Sequence, residues 1–141
     1  MTAMFSVEVP RKRMLSLNGR RHWREADEVR REIAALVAYS GARRLERWDR
    51  ATLWVGVEKP DRRLYDAQNL QATVKVIVDA LVRMKVLPDD DNEHVVGPFL
   101  YHAGVDAGLR GRLGVERVRF VVQLEPYGVP AHLYRGRSLG G

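Results

Sequence analysis

The chain has 141 residues, a net charge of +6 and a pI of about 10.1. It contains no cysteine, which excludes disulfides, thiolate zinc sites and cysteine nucleophiles, and no stretch approaches the ~20 apolar residues of a membrane span. Its 45% hydrophobic and 30% charged residues predict one soluble domain, and the basic excess invites a nucleic-acid partner. Arg-rich coding explains the same excess: Lys12, Lys59, Lys75 and Lys85 are the only lysines. Residues 1–12 hold no long apolar core, so a signal peptide is not expected and a cytoplasmic location is.

Phe5, Val7 and Val9 alternate with Ser6 and Glu8, predicting a strand that ends at Pro10. A basic loop over 11–19 closes on Asn18-Gly19, a turn signal. The spacing of Trp23, Ala26, Val29, Ile33 and Leu36/Val37 predicts a helix from about Arg20 to Tyr39 with one apolar face. On its wet face Asp27 and Arg31 form an i,i+4 pair, and Ser40-Gly41 reads as its C-cap. Leu53, Val55 and Val57 alternate in a second strand over 51–59, which Pro60 ends. A second helix is predicted from about Asn69 to Met84, burying Leu70, Val74, Ile77, Leu81 and Met84. Pro88 stops it, and Asp89-Asp90-Asp91 follows. A third strand over Val95–Tyr101 is interrupted by Gly97-Pro98, and residues 103–114 read as a mobile Gly- and Arg-bearing segment. Val118, Phe120, Val122 and Leu124 define a last strand. The expected fold is α+β: a small mixed sheet packed with two main helices, in one domain over 1–126. Residues 127–141 are expected to be a basic, disordered tail.

Acidic residues concentrate oddly for a basic chain. Asp66 precedes the second helix, and Asp89, Asp90 and Asp91 follow it. Mg²⁺ takes oxygen ligands, commonly one or two carboxylates with water and phosphate oxygens; on the residues alone a solvated turn after the helix is the favoured reading of Asp89–Asp91. Distance opposes a shared site, because a straight helix of about sixteen residues spans ~24 Å and the return from Lys85 to Asp90 covers at most ~20 Å. A shorter helix, a chain that doubles back, or a carboxylate from a second subunit would close it. Lys75 suits a role beside a reacting phosphate or a surface pair with Asp79. His94 suits a general acid or a strand edge. Arg20, Arg21, His22, Trp23 and Arg24 gather three guanidinium groups and two aromatic rings at a helix N-terminus, where phosphates bind and an aromatic can stack on an unpaired base. Trp23 also falls on the expected apolar stripe and so reads as core.

The run Pro60-Asp61-Arg62-Arg63-Leu64-Tyr65-Asp66-Ala67-Gln68-Asn69-Leu70 resembles the central motif of the RusA family of Holliday-junction resolvases. So does its continuation through Lys75, Asp79-Ala80-Leu81 and Leu87-Pro88-Asp89-Asp90-Asp91. Leu15-Ser16-Leu17-Asn18 with Arg20 to Trp23 is similar to the family's basic loop, and the likeness extends over about residues 5–125. The resemblance implies a homodimer that binds branched DNA, Holliday junctions foremost, and hydrolyses phosphodiesters in paired nicks with Mg²⁺, Mn²⁺ substituting. It implies Asp66, Asp90 and Lys75 as catalytic residues, with Lys75 in register only if the helix carries an insertion near Ala72. Metal ligation falls to Asp66, Asp90 and, as alternates, Asp89 and Asp91. Gln68 stands where the common pattern has a second aspartate; its carboxamide oxygen can ligate metal but brings no charge. DNA contacts fall to Asn18, Arg20, Arg21, His22, Arg24, Arg62 and Arg63. A RusA-like protein that has lost activity and acts by occupying branched DNA is the alternative.

Overall fold

A computed structural model describes residues 2–14, 23–63, 67–130 and 132–133. Four strands, β1 (Ala3–Pro10), β2 (Ala51–Lys59), β3 (Val95–Val105) and β4 (Arg117–Glu125), and two helices, α1 (Trp23–Ala38) and α2 (Ala67–Arg83), make up an α+β fold. The strands lie in the order β1-β4-β2-β3. β4 runs antiparallel to both its neighbours, whereas β2 and β3 are parallel. A parallel pair needs a crossover of a dozen or more residues, and α2 supplies it.

Register brings the alternating residues together on one face. Phe5 lies opposite Val122 and Val7 opposite Phe120, while Val55 and Val57 meet the same two β4 residues from the other side. These side chains pack with Val29, Ile33 and Val37 of α1 and Leu70, Val74, Ile77 and Leu81 of α2 into one core. Both helices therefore cover the same face of the sheet, and among the described residues the opposite face carries no helix. α1 is buried along a single i,i+4 stripe. α2 is buried more widely, Thr73, Val76, Val78 and Ala80 included, because it packs on α1 as well as on the sheet. Between Leu70 and Ala80 its only exposed residues are Gln71, Lys75 and Asp79.

Several expectations are corrected. Trp23 is not core: it is 64% exposed. It stands in the first turn of α1, six residues before Val29 and about 120° around the helix from it at 3.6 residues per turn. Asp27 pairs with Arg30 at 3.2 Å, one residue short of the expected partner. Ser40 does close α1, its amide and hydroxyl both donating to the Val37 carbonyl, and the same hydroxyl accepts from the Ala42 amide to cap the short 3₁₀ turn Gly41–Arg44. β3 does not stop at Tyr101 but runs through Gly97-Pro98 to Val105. The segment expected to be mobile is tied down. The amide of Asp106 donates to the Lys59 carbonyl at 2.8 Å. The Asp106 side chain caps a 3₁₀ turn over Ala107–Arg110 that fully buries Leu109. The chain also stays attached beyond β4. Gly128 exchanges hydrogen bonds with the Thr52 hydroxyl at 3.0 and 2.7 Å, and the Tyr127 hydroxyl donates to the Asn92 carbonyl at 2.7 Å.

Candidate active site

The single wet stripe of α2 places Gln71, Lys75 and Asp79 one turn apart along one side of the helix. What returns Asp90 to that stripe is the helix end. The Val86 amide donates to the Leu81 carbonyl and the Lys85 amide to that of Val82, both at 3.0 Å. These are the two bonds of a Schellman turn, which needs a left-handed residue just past the helix. Lys85 is that residue, at φ 63°. Val86 and Leu87 are then driven back into the core, and the chain doubles back along the helix.

Asp90 thereby reaches Lys75 across a separation of fifteen residues, Oδ2 to Nζ 3.4 Å. The Lys75 ammonium also lies 3.5 Å from Asp79 Oδ1. The chain doubles back to join Lys75 to Asp90, while Asp66, whose closure with Asp90 the sequence left open, lies outside the described residues. Both pairs are long and exposed, so each contributes at most about 1 kcal/mol to stability. Asp79 first, then the hydrogen bond and charge of Asp90, hold the Lys75 ammonium above its usual range. Burial pushes the Asp90 carboxyl up, but hydrogen bonds from Lys75 and at Asp89 and the Lys75 charge outweigh it, and the net shift is downward.

Lys75, Asp90 and Gln71 stand around a cavity of about 260 Å³ between α2 and β3, walled by Val74, Val78, Val95, Gly97, Pro98 and Leu100. It is smaller than the roughly 300–1,000 Å³ of small-molecule pockets and suits a single hydrated ion or phosphate group. Gly97 is shaped for this wall: at φ 95° a side chain there would meet the Leu53 carbonyl oxygen at 2.7 Å.

The three consecutive aspartates diverge. Asp89 accepts from the Asp90 amide at 2.7 Å. Asp91 accepts from the Glu93 amide at 3.0 Å and pairs with His94 Nδ1. Only Asp90 borders the cavity. Asp89 and Asp91 build the turn, and His94 is held by Asp91 at the start of β3. Among the described residues no three His, Asp or Glu side chains converge as a metal site. Asn18, Arg20, Arg21, His22 and Asp66 lie outside the described residues, as does the side chain of Gln68. Gln71 is a cavity residue that sequence reasoning missed; its position four residues before Lys75 on the polar face was the available signal.

The basic residues divide. Arg24 is exposed, with its guanidinium 5.1 Å from the Trp23 ring centre. Arg62 is exposed. Arg63 is engaged internally, 2.8 Å from Asp61 and 2.7 Å from Glu116. Glu116 also takes Arg11 at 3.0 Å. The Arg63 hydrogen bond holds Asp61 down at about 2, and Asp61 and Glu116 raise Arg63 in turn. An anion must compete with two carboxylates for Arg63, which makes the exposed Arg62 the more available of the two. No protein-family model and no curated protein matches the chain.

Proposed function

We propose that the chain is a metal-dependent endodeoxyribonuclease of RusA type that resolves Holliday junctions or related branched DNA, acting as a homodimer in the cytoplasm. One observation carries this reading: Lys75 and Asp90, which the resemblance assigns to catalysis from two separate motifs, stand 3.4 Å apart at the mouth of one cavity. A structural ion pair so exposed contributes little to folding, so stability alone is a weak reason for bringing them together.

The residues fit a Mg²⁺ or Mn²⁺ ion in the sparse manner usual for Mg²⁺, with one or two carboxylates and the remaining positions left to water and phosphate. Among the described residues the charged side chains lining the cavity, Lys75 and Asp90, cancel, so a second carboxylate is needed to favour a cation. Asp90 and Asp66 would hold the ion, with Gln68 as a neutral ligand. When bound, the ion supplies charge neutralisation at the phosphate and an acidified water. Lys75 holds an ammonium where negative charge grows on a phosphate at the cavity mouth, while Val74, Val78 and Leu100 limit water around it. A homodimer presents two such sites to the two strands of a junction.

The test is incubation with an immobile four-way junction and a matched linear duplex, with Mg²⁺ and with chelator. Paired nicks in the junction alone, abolished by Asp90→Asn and by Asp66→Asn with binding retained, are expected. Cleavage by both variants at the wild-type rate refutes the site. One observation favours the second reading, a protein that occupies branched DNA without cutting it: Asp89 and Asp91 turn away from the cavity, and Gln68 replaces an acid. Junction binding with no nicking at any metal concentration is its signature.

A further inference from the structure

The helix-free face of the sheet carries an aromatic patch that the proposed chemistry does not use. Trp54 of β2 lies 4.9 Å, centre to centre, from Phe99 and 6.4 Å from Tyr101, both of β3. Its indole N–H donates to Glu125 at 3.1 Å, and Gln123 donates to the other oxygen of the same carboxylate at 2.8 Å. The indole is therefore fixed in plane with a polar border on its β4 side. Tyr101 lies against Gly56, where a Cβ would come within 3.0 Å of its ring. Beyond β4 the chain is anchored by Thr52 and then brings His132 over this patch. The imidazole stacks on Trp54 at 5.8 Å and 24°, and the residues enclose an open cavity of about 340 Å³.

We infer that this patch is a stacking platform for one unpaired nucleobase of bound DNA, and that His132 is a placeholder which the base displaces. The inference rests on the branched-DNA reading. A planar nitrogen heterocycle already lies beside the indole, tilted 24° from its plane, and a nucleobase is a larger ring of the same kind. Stacking on an aromatic side chain is the general means of holding an unpaired base. The location also fits. β3 is an edge strand; Gly97, Pro98 and Leu100 wall the Lys75–Asp90 cavity while Phe99 and Tyr101 join the platform. A strand wrapping that edge passes from one site to the other. The Tyr127–Asn92 hydrogen bond ties the segment bearing His132 to the loop bearing Asp90, so the two sites share a mechanical link. Glu125 adds an acceptor at the rim: a carboxylate can take a hydrogen bond from the exocyclic amine or ring N–H of an unpaired base.

The test compares two duplexes of equal charge, one with a single bulged 2-aminopurine and one with an abasic bulge, bound by the full chain in chelator. Anisotropy gives affinity, and 2-aminopurine fluorescence gives stacking. Wild type is expected to prefer the base about tenfold and to quench its fluorescence. Trp54→Leu and Tyr101→Ser should each bring the preference to about one while keeping abasic binding. Tyr101 is 46% exposed, so its variant reports even if Trp54→Leu fails to fold. His132→Ala should raise the preference severalfold. Equal binding of both duplexes by wild type, or a preference that survives in Tyr101→Ser, overturns the platform and leaves the nuclease reading standing. Binding of neither duplex overturns the platform, and binding of a four-way junction in the same chelator buffer decides the DNA reading separately. Loss of self-association in Tyr101→Ser without loss of base preference in any variant assigns the face to contact between two copies and also overturns the inference.

Discussion

The turn that returns Asp90 to α2 depends on a lysine in a glycine's conformation, and replacing it is a direct test of how the site is assembled. At φ 63° Lys85 lies in the left-handed region, which costs a residue with a Cβ about 1–2 kcal/mol. Glycine removes that cost, although its greater freedom in the unfolded chain returns about 0.4–1 kcal/mol. Lys85 is exposed, so truncation removes little packing. Lys85→Gly should therefore stabilise the protein by about 0.5–1 kcal/mol, a rise in Tm of roughly 2–3 °C for a domain of this size. Lys85→Ala keeps the Cβ and the strain, and should leave Tm within about 1 °C of wild type. Thermal unfolding followed by circular dichroism, with urea midpoints as a second measure, distinguishes the two. Junction cleavage by Lys85→Gly should match wild type, since the path of the chain is preserved. A glycine variant no more stable than the alanine variant would show that the turn does not adopt the left-handed geometry on which the placement of Asp90 rests.

Lys75→Met should lower the rate of junction cleavage by at least about tenfold, as expected for a charge acting on a transition state, yet change stability by less than about 1 kcal/mol because its ion pairs are exposed; equal losses in both would make the lysine structural. Gln68→Asp should lower the Mg²⁺ concentration for half-maximal cleavage by restoring a charge to the site, and abolition of cleavage would show that the residue does not stand in for a carboxylate. Asp61 is held down at about 2 from an ordinary 3.8, so the stability it contributes is complete above 3.8 and is lost as pH falls through about 2. Asp61→Asn should therefore lose less Tm than wild type across that interval, and parallel Tm curves would contradict the pairing with Arg63. Arg20→Ala or Arg21→Ala should flatten the dependence of log K on log salt by up to about 0.9 for each phosphate that is no longer neutralised, and an unchanged slope would show that the arginine leaves DNA alone.

Elements whose pattern is local were legible in the sequence. Phe5-Val7-Val9, Leu53-Val55-Val57 and Val118-Phe120-Val122-Leu124 each fill one face of a strand, and Val29-Ile33-Val37 and Leu70-Val74-Ile77-Leu81 each fill one side of a helix. The central position of β4, last in sequence, was not legible, because strand order follows from pairings between residues as far apart as Val7 and Phe120. Trp23 misled because an aromatic beside an apolar stripe matches its composition while lying off its phase. The extent of β3 was hidden by Gly97-Pro98, which signals a break where the strand in fact continues. At the site, Lys75 was visible as a polar-face residue. The choice of Asp90 among three adjacent aspartates came from the family resemblance alone, since residue spacing does not show which carboxylates are taken up by the Asp90 and Glu93 amides and by His94. The Schellman turn was not visible, because Lys85 lacks the glycine that ordinarily announces one.

The placement of that turn also divides α2 into two halves with different tolerance to change in length. Lys75 and Asp90 are both measured from the C-terminal end of the helix, so residues inserted or deleted before Lys75 leave their pairing untouched. Each such residue moves the first turn of α2 by about 1.5 Å along the helix axis and 100° around it relative to Lys75. Only changes of about a whole turn return that end of the helix to the same side. A residue inserted between Lys75 and Lys85, by contrast, rotates Lys75 away from the returning strand and separates it from Asp90. Among diverged sequences of this architecture, spacing should accordingly vary between the first acidic motif and the lysine, in steps of three or four residues. The interval from the lysine to the second acidic motif should stay fixed.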